Sequence, residues 1–583
     1  MLRLRAPRGR RSLRRREVAI PSEIPSTDTL FLVLRRIRGP LVTLIVIFAV
    51  SVLGLTLIPG VDAQGNKSYL SAFDAFYFMS YTATTIGFGE LPVPFSTAQR
   101  MWVTVCIFAS VTGWAYCIGA LFGLFRDPSF QRAVELQRFR RAVARLREPF
   151  VLIVGYGEAG RTLAAALDRS GRRIVVIDED PSRIDLLVRD QLFRDAPCFA
   201  GDPRDPSLLG IGGLANPQCE AVLALTDKDE MNLAALMATH LLRPDLPVIS
   251  RCTEQRNMGW MHDFGPEAVI NPFDRYGNYL VLGLLQPTTH RLVSWLLSEP
   301  GTPLPEAHAG LSRGTWVVVA DSEFGSEVAR DLRAAGMKVR IVDPADGDPD
   351  VHDAVGMVAG SESDTINMSM AAHARLQRPG IYISVRQKSA RMGALVRAFA
   401  PDSVFVATDL VAFEALARLE APMFWGFIEH IRTQDDAWSR KVLASVIDRV
   451  GERAPTAGKV TIDKSDAPAV VRWLNRGGKL TLGQLLSHPT DRERHLPVFP
   501  TVLSRRGKLI YLPDEDLELR EDDQVGFVAR SIGRGLLRQC ANYDSVVEYL
   551  ATGDRVPDTW LWRLFSHRSR RGSRPAGNDR RSR

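Results

Sequence analysis

Apolar positions fall into two regimes along this chain. Up to about residue 125 they form long uncharged runs, and beyond residue 150 they form short runs of five or six separated by amphipathic stretches. Leu41 to Ile58 carries no charge and is just long enough to cross a hydrocarbon core, which needs about 20 helical residues. Met101 to Phe125 is a second such run. Between them, Phe73 to Thr84 is aromatic and apolar apart from Asp74, yet as a helix it spans only about 18 Å. A half-crossing helix ending in a glycine-bearing return loop is tolerated at membrane depth only where protein buries it or where it lines a water-filled path. The pattern therefore predicts helix, re-entrant helix, loop and helix over 39–126. A core helix of a soluble protein is the alternative for either long run taken alone.

Downstream, Phe150 to Val154 reads as a buried strand, followed by an amphipathic helix to about Ser170 and a strand from Arg173 to Ile177. Ala221 to Leu225 and Pro247 to Arg251 continue the alternation. Strand and helix in turn predict an α/β, Rossmann-type domain with a parallel sheet. The fold class expected for the whole is a helical two-transmembrane segment with a re-entrant loop, α/β domains behind it, and a small α+β lobe at the end.

Charge adds orientation. The first 38 residues and the segment from Arg126 to Arg141 are rich in arginine, whereas the loop between the spans has only Lys67 and Arg100. The positive-inside rule places both termini in the cytoplasm and the loop near the outer face of a cell (inner or plasma) membrane. Segment 1–24 does not read as a secretory signal; an arginine-rich organellar transit peptide is the alternative. The net charge of +8 is concentrated in the two tails, whose basic residues suit topology and contact with anionic membrane lipid; no nucleic-acid motif accompanies them. Six cysteines without paired spacing indicate neither a disulfide framework nor a metal cage.

Thr84-Thr85-Ile86-Gly87-Phe88-Gly89-Glu90 follows the short helix. A filter replaces an ion's hydration shell with stacked carbonyls, which requires alternating right- and left-handed backbone, and Gly87 and Gly89 fall where glycine is needed. Thr85 can add a hydroxyl. The stretch resembles the potassium-channel signature TVGYG, with Ile86 for Val and Phe88 for Tyr. That resemblance implies K⁺ as the permeant ion, Thr85 to Gly89 as the selectivity filter, and Glu90 at the outer mouth, where the family usually has Asp. Gly113 and Gly119 lie inside the second span; each suits either a gating hinge or tight helix contact.

Gly155-Tyr-Gly157-Glu-Ala-Gly160 follows a strand, opens a helix and precedes Asp178, the context required of a dinucleotide-binding fingerprint. Gly155 permits the tight turn, Gly157 the approach of a pyrophosphate and Gly160 close helix packing. Asp178 would accept from a ribose hydroxyl. Glu158 beside the phosphate position is electrostatically unhelpful. With Gly201-Asp202 and the spacing from Asp227 to Asn232, the run 150–300 resembles the regulator-of-potassium-conductance (RCK) or TrkA nucleotide-binding domain. The resemblance adds Asp202 and Asp227 as pocket residues, and implies NAD(H) or another adenine nucleotide (ATP, ADP or AMP) as regulatory ligand.

The chain then repeats itself. Trp316 to Ala320, Asp321 to Gly325, Lys338 to Asp343 and Met357 to Asn367 answer the first copy, with an offset that falls from 165 at the glycine turn to 135 at the Asn. About 30 residues, one helix and part of its neighbours, are thus missing from the second copy. Ala320 and Ser322 replace the first two glycines, which predicts a mainly structural role. The stretch 501–530 resembles the β-rich lobe that follows such domains; its acidic run 514–523 reads as a solvated turn or a Ca²⁺ site.

The expected organisation is a basic tail (1–38), a pore domain (39–126), a linker (127–149), a first RCK domain (150–300), a degenerate second one (312–410), a C-terminal lobe (411–548) and a basic tail with a disordered end (549–583). The whole resembles a two-transmembrane potassium channel with tandem RCK domains, which implies a homotetramer without catalytic residues. A Trk-type transport subunit and a membrane-tethered NAD-dependent oxidoreductase are the alternatives.

Overall fold

The computed structural model describes residues 20, 26–61, 66–90, 94–298, 300–307, 313–388 and 390–554. Most of the basic N-terminal tail and the end of the chain from residue 555 lie outside them.

Three helices form the first unit: α1 (Ser26–Leu57), α2 (Ala72–Ala83) and α3 (Thr97–Phe125). Ile37–Leu57 and Thr97–Phe125 are long and apolar enough to cross a membrane, and α2, at 12 residues, is not. Ser71 caps α2, and a reciprocal Ser96/Gln99 capping box starts α3. Gln99, fully buried, also donates from Nε2 to the Ile58 carbonyl at 3.1 Å, pinning the end of one span to the start of the other. Lower down, Trp102 donates to the Ser51 carbonyl at 3.1 Å while its ring lies over Gly54. Much of the remaining apolar surface of both spans, Ile45, Val50, Val105 and Phe108 among it, faces outward. Exposed apolar surface of that extent belongs against lipid or another chain.

Helix α4 (Pro128–Ala144) begins with Asp127 as its cap. Behind it come β1 (Phe150–Val154), α5 (Glu158–Arg169), β2 (Arg173–Asp178), α6 (Pro181–Arg189), β3 (Cys198–Ala200), β4 (Cys219–Ala224), α7 (Asp229–Leu242), β5 (Val248–Arg251), α8 (Gln255–Asp263) and β6 (Ala268–Ile270). The six strands form a parallel sheet in the order β3-β2-β1-β4-β5-β6, the dinucleotide-binding topology. Every residue of β1 is buried, as a central parallel strand covered on both faces requires.

Two crossover helices, α9 (Pro272–Leu285) and α10 (Pro287–Leu297), lead into the second copy. It comprises β7 (Thr315–Val319), α11 (Glu323–Ala334), β8 (Lys338–Val342), β9 (Ala354–Ala359), α12 (Asp364–Gln377), β10 (Tyr382–Arg386) and β11 (Ser403–Phe405), ordered β8-β7-β9-β10-β11. What the second copy lacks is the counterpart of α6, the outer strand β3 and the helical turns Pro206–Leu209 and Gly210–Leu214 that follow it. The loss is thus a whole strand with the helical segments on either side, and β8 is left as the sheet edge.

The copies complete one another. Helix α9 supplies Phe273, Tyr276, Leu280 and Leu284 to the second core, beside Trp316 and Phe324. Helix α13 (Ala407–Glu420) returns to the first copy and buries Val411, Ala412 and Ala415 against Leu163 and Leu167 of α5. Glu414, almost fully buried, accepts from Arg275 of α9 at 3.1 Å and from Arg418 at 2.8 Å, tying the exchanged helices together. A division of the chain at residue 410 falls inside α13, because the helix belongs by sequence to one copy and by packing to the other.

Helices α14 (Pro422–Arg432) and α15 (Asp436–Val450) pack with α10 and lead to the terminal lobe. There β12 (Thr456–Thr461), β13 (Val498–Arg505), β14 (Lys508–Tyr511) and β15 (Gln524–Ala529) form an antiparallel sheet, β12-β15-β13-β14, covered by α16 (Pro468–Asn475) and α17 (Ser531–Asn542). Within the acidic run, Glu515 pairs with Arg449 at 2.6 Å, Glu518 with Lys479 at 2.7 Å and Asp523 with Arg505 at 2.7 Å. Among the described residues no three His, Cys, Asp or Glu side chains converge to hold a metal.

Candidate functional site: the pore loop and the glycine turn

Beyond α2 the backbone turns back in alternate conformations. Thr85, Gly87 and Gly89 have φ of 63°, 65° and 74°, while Ile86 and Phe88 between them are not left-handed. This alternation is what brings successive carbonyls to one side. The Ile86 and Gly87 amides donate to the Tyr81 carbonyl at 2.9 and 3.3 Å, fastening the loop to the end of α2. At its other end the Tyr81 hydroxyl donates to the Glu90 carbonyl at 2.9 Å, and Tyr77 reaches the Glu90 carboxylate at 3.3 Å. Ile86 and Phe88 are more than 60% exposed, so within one chain the loop has nothing on its far side. Gly113 sits in a contact: a Cβ there would meet Leu44 and Ile47 of α1 at 3.1–3.2 Å. Gly119 faces open space.

In the first copy, Gly155 has φ 102° and its amide donates to the Ile177 carbonyl at 2.8 Å. A Cβ on Gly160 would fall on the Gly155 carbonyl, which is the helix-to-turn approach that only glycine permits. Gly157 is different: its open side faces only the Arg183 guanidinium, 3.9 Å from where a Cβ would stand. Asp178 is 1% exposed; it accepts from the Tyr156 amide at 2.6 Å and the Asp180 amide at 2.9 Å. The carboxylate thus braces the glycine turn.

Arg183, on the first turn of α6, is the residue that pattern reading missed. Its guanidinium spans Asp178 at 3.5 Å and Asp227 at 3.2 Å. Burial acts to raise the Asp227 carboxyl and Arg183 overcomes it, leaving the group below its ordinary value. The only sequence signal for Arg183 was its position five residues after the acid. Asp202 lies apart from this bridge and pairs with Arg204 at 2.8 Å, whose hydrogen bonds hold its carboxyl low. On α13, burial first and the charge of Glu158 second raise the Asp409 carboxyl.

Asn232 is a clamp. Fully buried, it accepts from the Thr226 amide at 2.9 Å and donates to the Thr226 and Arg251 carbonyls at 2.9 and 3.0 Å. Asn367 repeats this with Ser361 and Arg386 at 2.7, 3.0 and 2.9 Å. The second copy keeps the clamp. Phe324 is fully buried, stacked on Phe405 at 5.4 Å with Arg386 5.0 Å over its ring, and Asp343 caps the Ala345 amide at 2.8 Å.

Residues 41–127 match the ion channel family and residues 151–272 the TrkA-N domain. The chain joins a two-helix ion-channel pore domain to a TrkA-N, or RCK, domain. It is 23% identical over 237 residues to the voltage-gated potassium channel Kch of Escherichia coli, covering 40% of this chain and 55% of that one. Potassium channel protein 1 of Methanocaldococcus jannaschii is 22% identical over 203 residues, covering 34% and 59%. An uncharacterized protein of Methanothermus fervidus is 25% identical over 244 residues, covering 42% and 37%. The matched part of the chain thus spans between about a third and three fifths of these relatives. Among solved structures, the GsuK channel bound to NAD aligns over 88% of this chain and 99% of its own, at 14% identity and a TM-score of 0.41.

Proposed function

We propose that four copies of this chain form a potassium-selective channel in the cell inner (plasma) membrane, both termini cytoplasmic, gated by an adenine nucleotide, NAD(H) or ATP/ADP, at the first RCK copy. One observation carries the reading: left-handed backbone at Thr85, Gly87 and Gly89, at the end of a helix too short to cross, between two that can. A loop open on its far side encloses no path alone, and a closed heterologous ring supplies the missing walls. Potassium as the ion is supported by the named relatives Kch and potassium channel protein 1.

The nucleotide would lay its pyrophosphate over Gly157 at the start of α5, where amides and the helix dipole favour an anion. Arg183 stands in that space. A ribose hydroxyl reaches Asp178 once Arg183 leaves its bridge, and the freed guanidinium is then the nearest cation to phosphate. Helix α13 packs on α5, which starts at Glu158, so occupancy of the first site bears directly on an exchanged helix. Ligand that prefers one arrangement shifts the pore by its differential affinity and no more. Gly119, with open space around it, is the hinge candidate, and Gly113 a packing glycine.

The test is bilayer recording of the purified protein in K⁺ and Na⁺ gradients, with nucleotides added on the cytoplasmic side. Four-fold particles, K⁺ reversal potentials and a nucleotide-dependent open probability are expected. A non-selective leak, or a monomeric particle, would overturn the pore reading. Hydride transfer to an added substrate would favour the oxidoreductase.

A further inference from the structure

The terminal lobe holds a cavity of about 280 Å³ between β12 and α17. Its lining is cationic. Arg534 and Arg538 sit four residues apart on α17, hence on one face, and Lys459 of β12 lines the same cavity. Like charges at that spacing repel. Among the described residues none of the three forms an ion pair. Burial pulls the Lys459 ammonium below its ordinary value despite the attraction of Asp466 and Asp463. Asp466, which also lines the cavity, is engaged by the Thr461 amide at 3.3 Å.

Backbone adds donors. Strand β12 pairs only with β15, and the Ile462 amide bonds across to Asp523, whereas that of Thr461 points the other way to Asp466. Alternation along an antiparallel strand turns the Lys459 and Ala457 amides to that same open side. From this geometry we infer that the cavity binds a compact, multiply charged phosphate anion, at a site separate from the glycine turn. Its volume lies at the lower end of ligand pockets, which begin near roughly 300 Å³, and so suits a polyphosphate or phosphomonoester group better than a whole dinucleotide. Paired arginines are the side chains best matched to phosphate oxygens.

The probe is inorganic tripolyphosphate, titrated calorimetrically into the full-length protein in detergent. Binding that weakens with added salt is expected, and Arg534→Ser combined with Arg538→Ser should weaken it at least about tenfold. Both arginines are exposed, so the melting temperature should hold. Gly157→Val should leave this binding unchanged, which separates it from the first RCK site. No heat at millimolar tripolyphosphate, equal binding by the double variant, or loss of binding in Gly157→Val alone would each overturn the assignment.

Discussion

At the pore loop, a Cβ decides whether the backbone can alternate. A side chain in the left-handed region costs roughly 1–2 kcal/mol per residue, and the proposed ring repeats the cost at each chain. Thr85 already bears it, held by its hydroxyl's bond to the Thr84 carbonyl at 2.7 Å. Gly89→Ala should therefore abolish K⁺ flux into liposomes while leaving the particle mass unchanged; normal selective flux would remove the filter assignment. At the glycine turn, Asp178→Ala removes the proposed ribose acceptor and a brace for the Tyr156 amide together. A charged hydrogen bond is worth about 1.5–3 kcal/mol, so the nucleotide dose–response should move right by about one to two decades, with single-channel conductance unchanged. Arg183→Met should weaken ADP far more than adenosine, read by calorimetry, if the guanidinium passes to phosphate. The glycines and Asp178 were legible because their chemistry is local in sequence. Arg183 was not, since its meaning comes from Asp227, which the chain reaches 44 residues later.

At the scale of elements, the parallel sheets followed from strand and helix alternation, and the exchange of α9 and α13 did not. Nothing in the apolar period of a helix says which of two similar sheets it will cover. The exchange leaves its own mark at the contact of α9 with α11. Gly277 lets the helices close over Asp331, whose carboxyl is pushed up to about 6, by burial first; Arg330 pulls it down, while Asp274 across the contact and Glu327 push it further up. A folded-state value above the unfolded one, near 3.8, means that the stabilisation is complete below about pH 4 and is lost as pH rises through about 6. Asp331→Asn should thus raise the melting temperature at pH 7.5 and not at pH 4; a gain equal at both would show that the acid's charge is irrelevant. The second copy gives a companion expectation. Asp343→Ala should leave nucleotide affinity unchanged, because Asp343 serves the Ala345 amide and Ala320 and Ser322 stand where the first copy has its first two glycines.

Across the whole molecule, the question is how a ligand on one side of the membrane surface reaches the pore. The stretch 127–149 reads as a polar linker, helical in pattern, that would carry the pull. The structure buries Phe139 and Val143 of α4 in the core of the first copy, with Phe139 stacked on Phe199 at 5.6 Å and the Val143 carbonyl accepting from Asn216 at 3.2 Å. Gly213, at φ 118°, lets the loop before β4 close against Val143 and Phe150. Leu136, Phe139 and Val143 recur at helical spacing on a helix otherwise rich in arginine, and an apolar stripe of that length does not by itself separate docking from a tether. Yet the consequence is mechanical: only two residues, Arg126 and Asp127, separate α3 from a helix rigidly seated on the nucleotide fold. Truncating both side chains, Phe139→Ala with Val143→Ala, removes about 3–5 and 1–3 kcal/mol of packing from a contact that neither the filter nor the glycine turn needs. In the proposed channel this double variant should bind nucleotide with wild-type affinity in calorimetry and pass K⁺ with wild-type conductance, while its open probability stops responding to the ligand. A response that survives the loss of this contact would place the coupling elsewhere, and the exchanged helix α13, where Val411 and Ala415 pack on α5, is the next place to cut.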